Sequence, residues 1–373
     1  MIALAVEMKL AIVCDDLIQF GGQERVVMAL HDMWPDAPIF TSAVSNRWAA
    51  LCRQKNIRVE TSFIQKLPFL ERLNKFYAGF LLYPLAFESF DLSPFDVVLS
   101  VSSRFAHGVI TKPPIKHICY MNSPGRMFWE PWSYFVEGMS RFLPVVSGLL
   151  AYLRVWDFVA ATRVDFFIAN SKVPQERIKK YYGRDSEIIY PFVETPRREV
   201  LAHGKGDYFL LISRLQSWKR TDIVVKAFTD LGVRLKIVGE GPALSTLKST
   251  AGATCEFLGY VSEEKKQELL SGCIALIHPQ LEDFGIVPLE AMALGKPVIA
   301  YGEGGALETI VPGQTGEFFY HQTTNDVVDA VRKFDSDKYS TYACVNRARE
   351  FSRAVFERRI KDYVDNVYFG QSI

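Results

Sequence analysis

The amino-acid sequence predicts an α/β protein of two Rossmann-like, doubly wound domains facing each other across a cleft. Three observations predict it. Short runs rich in β-formers alternate with helix-length amphipathic segments, the order that builds a parallel sheet covered on both faces. The alternation occurs twice, on either side of the polar stretch "ETPRREVLAHGKG" at 194–206, which has no apolar period and ends in glycines. A length of 373 residues exceeds what one ordinary core holds.

The elements follow in order. The opening "MIALAVEMKLAIVCDD" has no basic n-region, and Glu7 interrupts its short apolar run, so it does not read as a secretory leader. Met8 is the expected functional start, because 9–14 is the first strand-like run. Further strands are expected at 38–43, 95–101, 116–121, 165–170 and 186–191, several of them apolar on both faces. The second series is expected at 208–213, 234–239, 255–259, 273–278, 297–302 and 316–320. Between its first two strands, Val224, Ala227, Phe228 and Leu231 share one helical face. The end of the chain, 346–368, reads as one long charged helix. The expected organisation is therefore a first domain over 1–193, a linker over 194–206, a second domain over 207–345 and a terminal helix over 346–373.

Composition excludes several functions. Lys+Arg 43 against Asp+Glu 42 leaves a net charge of +1, so no overall field draws nucleic acid. The six cysteines are scattered without a C-x-x-C pair, which suits reduced cytosolic thiols and no zinc site; six dispersed histidines suggest no metal cluster either. No uncharged stretch reaches the length of a membrane span. The longest apolar stretches, 76–87 and 142–153, have the basic and aromatic neighbours Arg72, Lys75, Trp129, Trp132, Arg141, Arg154 and Trp156. They suit buried helices, or a face that sits on anionic lipid.

Ligands of doubly wound sheets bind at the carboxyl ends of the strands, so the loops there carry the chemistry. "SRLQSWKR" at 213–220 places Arg214 and Lys219 at such an edge. A guanidinium forks onto two oxygens and an ammonium acts as a point charge, which suits a diphosphate; a solvated basic loop is the plain alternative. "VGEGPALSTL" at 238–247 sets Gly239 and Gly241 between a strand and a helix, where a backbone can approach a ligand closely. Leu244 stands where a dinucleotide fingerprint has its third glycine.

"HPQLEDFGIVPLEAMALGKPVIA" at 278–300 is the richest segment. Pro288 suits the first turn of a helix over 287–294, closed by Gly295. The amides of Gly285, Ile286 and Val287 are then orphan donors at a helix start, an anion site. Glu290 is expected in that first turn, where its carboxylate suits sugar hydroxyls rather than phosphate, with Glu282 across the loop reaching a second set. The plain alternative is that Glu290 caps the helix and Glu282 is solvated. "YGEGGALET" at 301–309 adds a further flexible glycine loop opening a helix. In the first domain, Gly21 and Gly22 precede a helix whose apolar face includes Val26, Val27 and Leu30. "YMNSPGRMFWEPW" at 120–132 brings Asn122, Arg126 and Trp129 into one polar-aromatic loop of the kind that grips sugars.

With "GGQERV", "SRLQSWKR", "VGEGP" and "EDFGIVPLEAMALGKPVIA" in that order and spacing, the chain resembles the retaining glycosyltransferases of family 4 over nearly its whole length. It is similar to bacterial mannosyltransferases of surface-polysaccharide synthesis. The resemblance implies the GT-B fold, an acceptor-side first domain, a nucleotide-sugar-binding second domain, and a terminal helix returning to the first. It makes Glu282 and Glu290 the two acids of an E-x7-E signature. Arg214 and Lys219 would bind the donor diphosphate and stabilise the leaving group; Glu282 would hold donor-sugar hydroxyls and Glu290 the ribose. Asp283, Phe284, Gly285, Ile286 and Val287 would complete the donor site with Gly239 and Gly241. Tyr260 and Val261 would meet the base, and Gly22 would approach the diphosphate from the first domain. Gly21, His107, Asn122, Arg126 and Trp129 would face the acceptor. Relatives often read Y-x-H-[ST]-P where this chain has "YMNSP", so Asn122 replaces a histidine and His107 is the substitute to consider. A retaining front-face reaction needs no base, because the leaving phosphate can take the acceptor's proton.

The implied reaction moves a hexose, mannose favoured, from a nucleotide-diphosphate sugar to a saccharide or lipid-linked saccharide. GDP-mannose is the favoured co-substrate, with no cofactor and no metal. The expected setting is cytoplasmic, at the inner face of the membrane if the lipid contact holds. A glycosidase also uses paired carboxylates but needs no diphosphate cations. A nucleotide-sugar epimerase would need an acid/base set in the first domain, which the sequence does not display. A non-catalytic sugar-nucleotide-binding protein would not need all four of Arg214, Lys219, Glu282 and Glu290.

Overall fold

The computed structural model describes residues 8–71, 73, 82–131, 143–195 and 206–370. The chain forms two compact units. The first comprises Met1–Tyr190 with Glu357–Ile373, and the second Pro191–Phe356.

The first unit is built on seven parallel strands: β1 (Leu10–Cys14), β2 (Ile39–Thr41), β3 (Val59–Thr61), β4 (Val97–Ser102), β5 (Lys116–Met121), β6 (Phe166–Ala169) and β7 (Ser186–Ile188). Their order is β3-β2-β1-β4-β5-β6-β7. β1, β4 and nearly all of β5 are buried, as sheet centres covered on both faces must be. The helices include α1 (Gly22–Met33), α2 (Asn46–Gln54), α3 (Leu82–Glu88), α4 (Arg126–Trp129), α5 (Leu143–Thr162) and α6 (Lys172–Tyr182). Ser45 caps α2 by accepting from the Trp48 amide, and Gly183 ends α6 in the left-handed region at φ +67°. One strand is absent from the expectations: β3, three partly exposed residues at the sheet edge, too short and too polar to show a period.

The second unit has strands β8 (Phe209–Ile212), β9 (Leu235–Val238), β10 (Cys255–Gly259), β11 (Leu276–His278), β12 (Val298–Tyr301) and β13 (Gly316–Phe319), ordered β10-β9-β8-β11-β12-β13 and all parallel. Its helices include α7 (Thr221–Leu231), α8 (Leu244–Thr250), α9 (Glu263–Gly272), α10 (Ile286–Ala293), α11 (Ala306–Thr309), α12 (Thr324–Lys333) and α13 (Thr341–Arg349). The expected face of α7 is the buried one, with Val224, Ala227 and Phe228 in the core.

Two sequence expectations change. The terminal helix is two helices, α13 and α14 (Arg353–Phe369), interrupted at 350–352. Phe351 there is buried against Phe284 at 5.8 Å between ring centroids, and its carbonyl accepts from the Val193 amide at 2.9 Å. These contacts, with the Phe192–Phe356 ring pair at 5.2 Å, also explain why the second unit starts at Pro191 rather than at 207. Most of the expected linker, 196–205, and the stretch 76–81 lie outside the described residues. Among the described residues no helix is long and apolar enough to cross a membrane. None of the six cysteines is in a disulfide, and five of them are buried.

Candidate active site

The order of the second sheet reverses between β8 and β11, and the crevice outside the carboxyl ends of such strands is where doubly wound sheets take ligands. The loop after β8 carries Arg214 and Lys219; the loop after β11 carries Glu282. A short 3-10 turn, Ser217–Lys219, points Lys219 inward, and its ammonium donates to Glu282 Oε1. Lys219 also lies 4.1 Å over the Trp218 ring. The Lys219 side chain is 7% exposed and that of Glu282 24%, so this is a largely buried ion pair closing the crevice. Burial pushes the Glu282 carboxyl up, but Lys219, His278 and Arg214 outweigh it and hold the group below the usual carboxylate range.

The loop that carries Glu282 is held from several sides. Arg220, at φ +52° despite its side chain, donates to the Gln322 carbonyl at 3.0 Å. Gln322 in turn donates to the Pro279 carbonyl at 2.8 Å. The Gly305 amide donates to the Glu282 carbonyl at 2.9 Å. Side chains at Gly304 and Gly305 would run into the backbone of Glu282 and Phe284. The glycines of "YGEGGALET" thus let two loops pack face to face.

α10 starts at Ile286, with Gly285 at φ +83° before it and no side chain capping it. A Cβ on Gly285 would stand 3.2 Å from Glu282 Oε2 and 3.4 Å from His278 Nε2, so three groups converge on one small space. His278 is buried, and its Nδ1 has no hydrogen-bond partner. Burial lowers its pKa to about 4, which keeps the ring neutral at pH 7. Sequence reasoning saw His278 only as a strand end; its place directly before the acidic loop was the available signal.

Because α10 begins one residue earlier than expected, Glu290 lies a full turn into the helix and caps nothing. Its carboxylate is instead held by Lys266 of α9, with the ammonium 3.0 Å from Oε1 and 2.9 Å from Oε2. No sequence signal pointed to Lys266, which sits in the charged run "SEEKKQE". Arg214 is exposed, Tyr260 is 76% exposed, and Asp283, Ile286 and Val287 are half-buried in or beside the loop. Val261, also half-buried, follows Tyr260 beyond the end of β10.

Three expected donor-site residues are differently employed. Phe284 turns its ring into the core against Phe351, leaving only its backbone to the loop. Gly239, at φ +132°, and Gly241 are tight against the Ser213 and Leu215 carbonyls, where a Cβ would overlap those atoms. Their small size admits the neighbouring loop of the same unit, and this alone explains both glycines.

In the first unit, Gly21 and Gly22 open α1 with no side-chain cap. The loops after β1 and β4 are bound together there by two aspartates that sequence reasoning passed over. Asp15 accepts from the amides of Ser103 at 2.7 Å and of Phe105 and Ala106 at 2.8 Å, and Asp16 pairs with Arg104. Asn122 accepts from Asn170 at 3.2 Å, and Arg126 lies 3.5 Å from Glu130. Trp129 stacks on Tyr181 at 4.6 Å and donates to Asp157 at 2.7 Å, so one face of its ring is already covered. His107 is fully buried, 3.3 Å from Asp157 and 3.1 Å from Ser102, and is core rather than acceptor surface. Among the described residues no group of three or more His, Cys, Asp or Glu side chains is placed to hold a metal.

Residues 193–351 match the family described as Glycosyl transferases group 1. The chain is 49% identical over 336 residues to the alpha-1,3/1,6-mannosyltransferase ALG2 of Dictyostelium discoideum, covering 86% of this chain and 69% of that protein. It is 34% identical over 157 residues to human ALG2, covering 40% of this chain and 37% of that one. Among solved structures, the Anabaena protein HepE in complex with UDP superposes with a TM-score of 0.70 at 19% identity, over 96% of this chain and 100% of the other. Sucrose-phosphate synthase from Thermosynechococcus elongatus superposes with a TM-score of 0.73 at 15% identity, over 97% and 100%. At such identities these two structures speak to the fold alone, the GT-B pairing of two Rossmann-like units.

Proposed function

The chain belongs to the glycosyl transferases of group 1, and from that membership we propose the reaction and the roles of its residues. It is a mannosyltransferase that draws on a nucleotide-activated sugar. The observation that carries the site assignment is the Lys219–Glu282 pair at the switch-point crevice, beside the uncapped start of α10 and one turn from Glu290.

In the proposed reaction the donor is GDP-mannose and the acceptor a saccharide or lipid-linked saccharide. The donor diphosphate lies against Arg214, Lys219 and the amides of Gly285, Ile286 and Val287. As the bond from the anomeric carbon to the phosphate oxygen breaks, charge grows on that oxygen, and preorganised donors stabilise it. The acceptor hydroxyl attacks from the face the leaving group vacates, its proton passes to the leaving phosphate, and the anomeric configuration is retained. Glu282, kept ionised by its neighbours, accepts from hydroxyls of the mannose, while Glu290 accepts from the ribose. Tyr260 and Val261 flank the base. The two cations serve where other transferases use a divalent metal, so transfer proceeds without one. On this reading the chain is a retaining enzyme of family 4.

Contact with anionic membrane, as a lipid-linked acceptor in a cytoplasmic setting would require, is supported by α5. Its residues Tyr152, Val155, Phe158 and Val159 form an exposed apolar stripe at helical spacing.

The test is mannose transfer from GDP-mannose to a lipid-linked oligosaccharide in the presence of EDTA, with the product linkage read by NMR. An α-linked product formed at the same rate with EDTA and with magnesium is expected. Dependence on added metal, or a β-linked product, sinks the mechanism.

A further inference from the structure

The helix pair α9–α10 carries an ion pair whose geometry goes beyond a surface contact. The Lys266 ammonium spans both oxygens of Glu290, at 3.0 and 2.9 Å, and reaches Glu263 Oε1 at 2.7 Å. The side chains of Lys266 and Glu290 are 13% and 11% exposed, whereas that of Glu263 is 55% exposed. Glu290 is flanked along α10 by buried Pro288, Leu289, Ala291 and Met292.

We propose that Lys266 is a positioning residue for nucleotide recognition: it fixes the plane of the Glu290 carboxylate to receive the hydroxyls of a ribose. The protein thereby distinguishes ribonucleotides from 2′-deoxyribonucleotides. This rests on the reading of Glu290 as the ribose acid. An ionised carboxylate accepts along about four directions, so one ammonium touching both oxygens does not by itself saturate it. The pair is rigid because its two side chains come from packed helices and are largely shielded from water, unlike exposed pairs, which contribute little.

The experiment measures dissociation constants of GDP and UDP and of their 2′-deoxy forms by calorimetry, for the wild type, K266M, K266R and E290Q. The wild type is expected to bind one ribonucleotide about tenfold or more tighter than its 2′-deoxy form, the loss of one charge-assisted hydrogen bond. E290Q and K266M both erase that gap, and K266R, which keeps the cation, preserves it. K266Q, with a neutral donor of shorter reach, stands in if K266M does not melt like the wild type, and it too loses the gap. A K266M or K266Q protein that keeps the full gap while E290Q loses it makes Lys266 a helix staple and overturns the inference alone. An E290Q protein that keeps the gap overturns the ribose reading and the inference with it. So does a wild type that binds neither ribonucleotide.

Discussion

Replacing Lys219 by methionine isolates the electrostatics of the proposed donor site. The ammonium is 7% exposed and donates to a carboxylate that is 24% exposed, so K219M strands a buried negative charge. Removing one partner of a buried pair costs about 3–5 kcal/mol, much of it the penalty of the charge left behind. E282Q strands Lys219 in the same way. The double variant K219M/E282Q strands neither, and its destabilisation falls short of the sum of the single ones by roughly 1–3 kcal/mol. Because the chain has two units, one global melting curve would mix them. Hydrogen exchange at the amides of Leu210, Leu211 and Ile277, in the strands flanking the crevice, reads the second unit alone. The pH dependence has a definite sign. The folded Glu282 carboxyl is held below its unfolded value of about 4.3. Its contribution is therefore fully present above that value and is lost as pH falls through the folded one. In K219M burial dominates and the shift reverses, so the variant gains stability relative to wild type as the solution is acidified. Single effects that add to within about 0.5 kcal/mol, with parallel pH profiles, would refute the pair.

Three further outcomes follow from the geometry. Glu24 in α1 is buried, and burial with Asp16 nearby raises its carboxyl to about 7. Stability is thus lost as pH rises from the ordinary carboxyl value of 4.5 to about 7, and E24Q stabilises the first unit by up to about 3 kcal/mol at about pH 8, a gain that vanishes near pH 4 in urea titrations. G239A, at φ +132° against the Ser213 carbonyl, costs about 3 kcal/mol or more, seen as loss of soluble protein or a large drop in urea midpoint. V155S/F158S on α5 lowers co-sedimentation with anionic liposomes and leaves GDP affinity unchanged; unaltered sedimentation removes α5 as the lipid face.

Much of this architecture is legible in the sequence because burial on both sheet faces leaves continuous apolar runs. β4, β5, β8 and β12 each fall within a residue or two of their expected bounds. The edge strand β3 is not legible: half-solvated and three residues long, it carries no periodic signal. The split between α13 and α14 is hidden for a different reason. Nothing local breaks "RAREFSRAV"; the break follows from Phe351 packing on Phe284, a contact far away in sequence. Arg214, Lys219 and Glu282 stand out because they lie in loops that follow strand ends, and Glu290 because it sits in the helix that such a loop opens. Lys266 does not, because its charge is indistinguishable from a solvated helix face until α9 and α10 are packed together. Gly239 and Gly241 show the opposite failure: their small size is plain in sequence, but the atoms that need the space belong to the chain itself.

In the proposed reaction the crevice between β8 and β11 holds a nucleoside diphosphate joined to a sugar. A thermal-shift comparison of GDP, UDP, ADP and TDP and their sugar conjugates, with EDTA and with magnesium, tests it most directly. Ligand at a hundredfold excess over its dissociation constant stabilises the native state by about 2.7 kcal/mol. GDP and GDP-mannose are expected to give a clear rise in melting temperature, equal in EDTA and magnesium, and abolished in K219A. A shift that appears only with magnesium, or that persists undiminished in K219A, would contradict it.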